Sequence, residues 1–359
     1  MIRAHGANKQ ILFGFILLCF IAEHECLPAA KYPWRIKKRA QIGVEMDDNF
    51  RESTQNAQSE PSYRALLQFS GTRNSRRCYL GLNLTTGYQG YRSNVREDKF
   101  INEITGQLEC GVTRWFHIGL NPRYRLKIFL YTPFNYSVFS LQSYFRMFLP
   151  AQFQLYLNLK PSALNYLKED FYDYNGLEYS FTLTRRFTKR WLVEIRAANT
   201  DYDFKRDVIT YVYLPDSIKT LNYKQEDQLR QYSVHINYFD FLLAKFSYYY
   251  ELNYSNQYGH AYTNHWMLLS TAKRISTRWL WRISAMLQFK KYTDSLSSFI
   301  PQGPDYEEID SNYLISDLSY RINRSTDIFL RLSWYKNESP LRAEYYQKQT
   351  ITLGIDYDF

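Results

Sequence analysis

Beyond residue 22 the chain contains no apolar run of the roughly 20 residues that a spanning helix needs, which excludes a helical membrane protein. Glycine and proline are scarce, 14 and 11 in 359 residues, and no linker-like stretch interrupts the sequence, so residues 31–359 read as one domain. Cysteine is scarcer still. Of 4, two lie within the first 30 residues, leaving Cys78 and Cys110 at a spacing that matches no zinc pattern. Gly-rich phosphate loops, paired metal-ligand spacings and dinucleotide fingerprints are absent, so neither cofactor nor metal is expected. The histidines after residue 30 are His117, His235, His260 and His265, each without a recognisable serine or carboxylate signature. A lone histidine in a strand is far more often a polar lining group than a catalytic base, so no catalytic set is assigned and no enzyme is expected.

Aromatic residues, by contrast, are abundant: 34 Tyr, 24 Phe and 7 Trp make up 18% of the chain, beside 22% charged residues. That combination fits strands with one side in lipid and the other in water. Trp279 to Lys290 shows it directly. Trp279, Trp281, Ile283, Ala285, Leu287 and Phe289 share one face, while Arg282, Ser284, Gln288 and Lys290 share the other, with Leu280 and Met286 among them. At helical spacing the same residues would scatter around the axis. Equivalent alternation marks segments near 38–46, 62–72, 77–90, 99–112, 115–131, 135–148, 151–159, 173–186, 190–203, 225–239, 242–256, 259–274, 277–292, 309–322, 326–336 and 345–357. Their length and aromatic ends suit a membrane barrel better than the shorter strands of a soluble β-sandwich.

These segments predict an all-β fold, a closed antiparallel transmembrane barrel of about 16 strands. Short connections recur at every second junction, around Thr72–Arg76, Thr113–Arg114, Leu149–Pro150, Phe187–Lys189, Asp240, Ile275–Ser276 and Asn323–Ser325. Longer ones lie between them, over Asp47–Pro61, Lys160–Glu169, Lys205–Lys224 and Tyr292–Ile309. Short periplasmic turns facing long outer loops are the expected asymmetry. Two outer junctions, near Thr132 and Gln257, are short as well, which keeps 14 strands as the alternative count.

Residues 1–30 read as a secretory signal peptide: Arg3 and Lys9 give a weakly basic start, Ile11 to Ala22 an apolar stretch, and Ala29 and Ala30 small residues for cleavage. Leu27 and Pro28 make the cleavage site imperfect. Neither Leu18 before Cys19 nor Glu25 before Cys26 is small, which argues against lipidation. Export would leave Cys78 and Cys110 in an oxidising compartment. They sit at the ends of neighbouring strands joined through the loop near Tyr91–Lys99. Cys78 shares parity with Leu80, Leu82 and Leu84, and Cys110 with Ile104 and Leu108, so both point outward. A disulfide and a pair of lipid-facing thiols both remain open, because a register slip of two residues would part them.

The C-terminal segment puts Ile351, Leu353, Ile355, Tyr357 and Phe359 on one face, and Phe359 is the last residue. A final strand ending in Tyr-x-Phe resembles the signal that bacterial outer-membrane barrels present to the barrel-assembly machinery. The resemblance covers about nine residues and the general architecture. It implies outer-membrane location, with outer-membrane lipid and that machinery as partners.

On the inward faces basic residues lead modestly, most densely at Arg123, Arg125 and Lys127. An electrostatic lining for anions and a salt-bridge network that stiffens the wall are equally good readings of that patch. The expected function is a porin-like channel for small solutes, with a preference for anions. The alternatives are a structural or partner-binding barrel of a surface or export assembly and, less favoured, a barrel enzyme. Whether the barrel associates with itself is open. Nucleic-acid binding, suggested by a net charge of +10, conflicts with export and lipid-facing alternation.

Overall fold

A strand whose side chains alternate between lipid and water has no stable edge in a membrane, so alternating strands must pair until the sheet closes. This chain closes. A computed structural model describes residues 33–50, 52, 57–131, 135–168, 170–212, 217–293, 312–337 and 346–359, apart from the side chains of 209–212 and 217–219. The first half comprises β1 (Arg35–Asp47), β2 (Glu60–Asn74), β3 (Cys78–Tyr91), β4 (Lys99–Gly111), β5 (Phe116–Phe129), β6 (Tyr136–Phe148), β7 (Phe153–Tyr166) and β8 (Tyr174–Arg186). The second comprises β9 (Trp191–Val212), β10 (Ser217–Phe239), β11 (Leu243–Ser255), β12 (Tyr262–Arg274), β13 (Trp279–Tyr292), β14 (Asn312–Arg321), β15 (Thr326–Asn337) and β16 (Tyr346–Asp358). Each strand pairs antiparallel with its sequence neighbours, and β16 pairs with β1 to shut the barrel. The count is sixteen, not fourteen. The signal peptide expected over residues 1–30 and all but the first two residues of the outer connection expected over Tyr292–Ile309 lie outside the described residues.

The ladder fixes which side chains face inward. Glu45 stands opposite Ser62, Thr85 opposite Glu103, Glu103 opposite Arg125 and Asp317 opposite Arg331, so a polar row runs from strand to strand around the lumen. The other parity carries Ile42, Val44, Leu67, Phe69, Leu82, Leu84, Leu157 and Leu353, all exposed on the outer surface. Bulky aromatic residues gather at the end with the short turns: Trp115, Phe187, Trp191, Phe241, Trp279 and Phe359. A 13-residue strand is about 43 Å long and, tilted by about 40°, rises about 33 Å, enough to cross an outer-membrane apolar band.

Two expected connections are corrected. The segment over Lys160–Glu169 is not a loop up to Tyr166; it is the outer end of β7, with Pro161 opposite Leu177 of β8. On its other side Pro161, which has no N–H to give, falls in a gap in the β6–β7 ladder between the Ser140–Ser162 and Ser143–Leu159 pairs. The segment over Lys205–Lys224 is mostly a hairpin of β9 and β10, the two longest strands, with Lys224 Nζ 2.7 Å from Asp207 Oδ1 across it. Ladder pairing to β8 ends at Phe204, and pairing to β11 ends at Asp227, so the hairpin projects beyond its neighbours.

Cys78 and Cys110 face each other directly in the β3–β4 ladder, 4.1 Å apart at Cα, and are joined by a disulfide. The bridge lies at the turn end of the hairpin, opposite its connecting loop. Closing a loop 32 residues apart in sequence removes roughly 4 kcal/mol of chain entropy from the unfolded state. A tryptic map of the unreduced protein is expected to contain one cross-linked species carrying both cysteines. Recovery of both as alkylated linear peptides would rule the bridge out.

Candidate functional site

The lumen wall is built from carboxylates that each hold one or more cations, and the acid lies behind the base. On β4, Glu103 accepts from Arg125 Nε at 2.7 Å and Arg123 Nη2 at 3.0 Å. On β14, Asp317 accepts from Arg282 of β13 at 2.6 Å and Arg331 of β15 at 2.9 Å, one on each side. Glu178 of β8 binds Arg196 of β9, with Lys160 of β7 at 3.8 Å. Glu109 of β4 takes His117 at 2.8 Å, the Tyr144 hydroxyl at 2.7 Å and Arg146 at 2.9 Å. Glu45 of β1 takes Arg64 of β2 at 2.6 Å and the Thr352 hydroxyl of β16 at 2.8 Å. Arg39 and Asp356 pair across the closing seam.

Exposure separates the partners. The Glu45 and Asp317 side chains are 1% and 6% exposed, whereas those of Arg64 and Arg282 keep 43% and 40%. A short carboxylate anchored near the backbone is covered by the longer guanidinium laid over it, so at these pairs the lumen meets the positive end. Glu251 and Asp227 are held differently, Glu251 by the amides of Gln231 at 2.7 Å and Asn264 at 2.8 Å, and Asp227 by the Gln225 amide at 2.9 Å and the Ser255 hydroxyl at 2.5 Å.

All three residues of the expected basic patch are on the inward face of β5. Arg123 and Arg125 share Glu103, while Lys127 Nζ lies 5.1 Å from the Phe129 ring centre and 5.7 Å from that of Tyr136. The patch is therefore a lining and a network at once.

Three histidines that looked isolated in sequence are not isolated in space, His265 Nδ1 lying 2.8 Å from the Tyr248 hydroxyl. His117 meets Glu109, and His235 of β10 reaches Ser247 Oγ of β11 at 2.7 Å and Ser233 Oγ at 3.1 Å. A serine–histidine contact invites a catalytic reading, but Ser247 is fully enclosed and His235 is buried, so no substrate can reach the hydroxyl. The register supplied these contacts. His235 stands directly opposite Ser247, a relation that needs both strand boundaries to be right to the residue.

The outer wall settles the setting. Leucine, isoleucine and phenylalanine side chains left 40–60% exposed all around a closed sheet would be an aggregating surface in water and a matched one in lipid. The chain is a closed β-barrel whose outer wall is matched to lipid, a transmembrane barrel. No protein-family model and no curated protein matches its sequence. Among solved structures it is similar to an anion-selective porin from Comamonas acidovorans, at 9% identity and TM-score 0.49 over 92% of this chain and 100% of that one. It is also similar to OccK2 (OpdF) of Pseudomonas aeruginosa in complex with glucuronate, at 8% identity and TM-score 0.49 over 91% and 98%. A third is the outer-membrane expressed OmpT of Vibrio cholerae, at 9% identity and TM-score 0.46 over 93% and 100%.

Proposed function

We propose that this barrel is a passive channel for small solutes that favours anions. The observation that carries the reading is the layering of charge in the lumen. Arg39, Arg64, Arg123 and Arg282 point inward yet keep 40–43% of their side-chain surface open, which requires space in front of them. A packed lumen would bury these groups. In a narrow aqueous passage, cations standing in front of their counter-charges enrich anions near the wall.

Planar-bilayer recording with a KCl gradient tests this. The wild-type reversal potential is expected to report chloride over potassium at 0.1 M, where the Debye length is about 10 Å, and to move toward non-selectivity at 1 M, where it is about 3 Å. Glu103→Gln should raise the chloride preference, roughly twofold, by leaving Arg123 and Arg125 uncompensated; Arg123→Gln with Arg125→Gln should lower it by a similar factor. Cation selectivity of the wild type, or no response to either change, would overturn the anion reading. Electrical silence would favour the second reading, a partner-binding barrel. One observation supports that alternative: the β9–β10 hairpin projects beyond β8 and β11 and presents two strand edges to a surface partner.

A further inference from the structure

At the turn end of the lumen the wall recedes. Lys245 of β11 lies on a rung with Ser270 of β12 and Ser284 of β13, and the next rung runs Leu243, Ala272, Arg282, Asp317 and Arg331 across β11 to β15. The small side chains of Ser270, Ala272 and Ser284 cannot fill the space between their larger neighbours. A cavity of about 520 Å³ results, lined also by Phe239 and Ile315. Its floor is apolar: Phe239 and Leu243 face inward with 41% and 52% of their surface exposed, unusual for residues on the water side of a membrane barrel.

The rim is cationic. Arg282 and Arg331 share the single carboxylate of Asp317. Lys245 is exposed and has no hydrogen-bond or ion-pair partner among the described residues. Three cations and one carboxylate leave a local excess of positive charge beside exposed hydrocarbon. Inorganic anions would use only the charge, and neutral apolar molecules only the floor. A molecule with one carboxylate and a compact apolar body would use both. Strands about 4.8 Å apart place Lys245 of β11 roughly 10 Å across the wall from Arg282 of β13, leaving room for a six-membered ring over Ala272.

We propose that this cavity is a binding site for small organic carboxylates with an aromatic or cyclic body, the carboxylate on Lys245 and the ring against Leu243, Phe239 and Ala272. The proposal rests on the channel reading only in that the solute must be able to enter the lumen. Benzoate is the probe, with acetate and benzyl alcohol as comparators that keep only the charge or only the ring. Calorimetric titration of the purified full-length barrel in a zwitterionic detergent measures binding without requiring conduction. Benzoate is expected to bind at least about tenfold more tightly than either comparator, since a charge-assisted bond and ring burial are each worth that much. Lys245→Met should weaken benzoate at least about tenfold while leaving the barrel folded, because the exposed ammonium holds no other group in place. Ala272→Leu, which fills the cavity without changing charge, should weaken benzoate and leave acetate unchanged. Equal affinity for benzoate and acetate, or benzoate binding that survives both substitutions, would overturn the site. Absence of benzoate binding by a barrel that conducts anions would overturn the site and leave the channel standing. Binding by an electrically silent barrel would do the reverse.

Discussion

Gly354→Ala is expected to cut the folded yield of the barrel at least about tenfold, although it adds a single methyl group. Gly354 lies on β16 opposite Gly43 of β1 and Phe329 of β15, at the seam where the first and last strands meet. A Cβ there would come within 2.5 Å of the Ile42 carbonyl oxygen and 2.6 Å of Phe329 Cε1, well inside ordinary contact. The Phe329 ring is buried although it faces the lumen, and it covers the glycine much as aromatic side chains cover glycines in other sheets. The ring can swing away, but the carbonyl oxygen belongs to the β1 backbone and can retreat only by loosening the ladder that closes the barrel. Overpacking commonly costs about 1–3 kcal/mol, and each unpaired backbone group left in lipid adds several more. About 1.4 kcal/mol is already tenfold. The heat-modifiable fraction after refolding into liposomes measures the effect. Gly87→Ala is the comparison, since its nearest neighbour would be Leu66 Cδ1 at 3.4 Å, an ordinary contact. Adding Phe329→Leu to Gly354→Ala should restore yield only in part, because the Ile42 clash remains. Equal yields for the Gly354 and Gly87 variants would show that the seam tolerates a side chain.

That seam also shows where the sequence stops being informative. Alternation assigns a residue to lipid or lumen by parity alone, and it placed Arg123, Arg125 and Lys127 on the water side without any knowledge of their neighbours. Parity does not say what stands opposite. The Arg282–Asp317–Arg331 bridge needs the register of β13, β14 and β15 to hold together, and an error of two residues in one strand would dissolve it. Lumen residues that break the polar pattern were harder still. Phe329 is explained only by the glycine it covers, and Phe239 and Leu243 only by the small residues beside them. Pro161 and the charged stretch around Asp207 looked like loop for sound local reasons, a missing donor and high polarity. They are strand because pairing with β8 in one case, and the Asp207–Lys224 contact across a hairpin in the other, outweigh those preferences.

Changing Tyr357 and Phe359 together to alanine is expected to lower the amount of barrel in the outer membrane of cells about tenfold, while refolding of the purified variant into liposomes changes less than about twofold. The two expectations differ because of how little these side chains touch. Tyr357 stands opposite Ala40 of β1 and Thr326 of β15, and the Phe359 N–H donates to the Lys38 carbonyl, so β16 is held by its backbone. The rings themselves lie on the outer surface, 42% and 71% exposed, edge to face with centres 4.8 Å apart. Alanine keeps every backbone hydrogen bond and removes only interfacial surface, so the finished barrel loses little. A machinery that reads the last strand before the barrel exists meets the same rings as an exposed pair at the chain end. A loss confined to cells therefore assigns them to recognition. An equal loss in liposomes would assign them to the girdle alone, and an unchanged level in cells would remove the recognition role altogether.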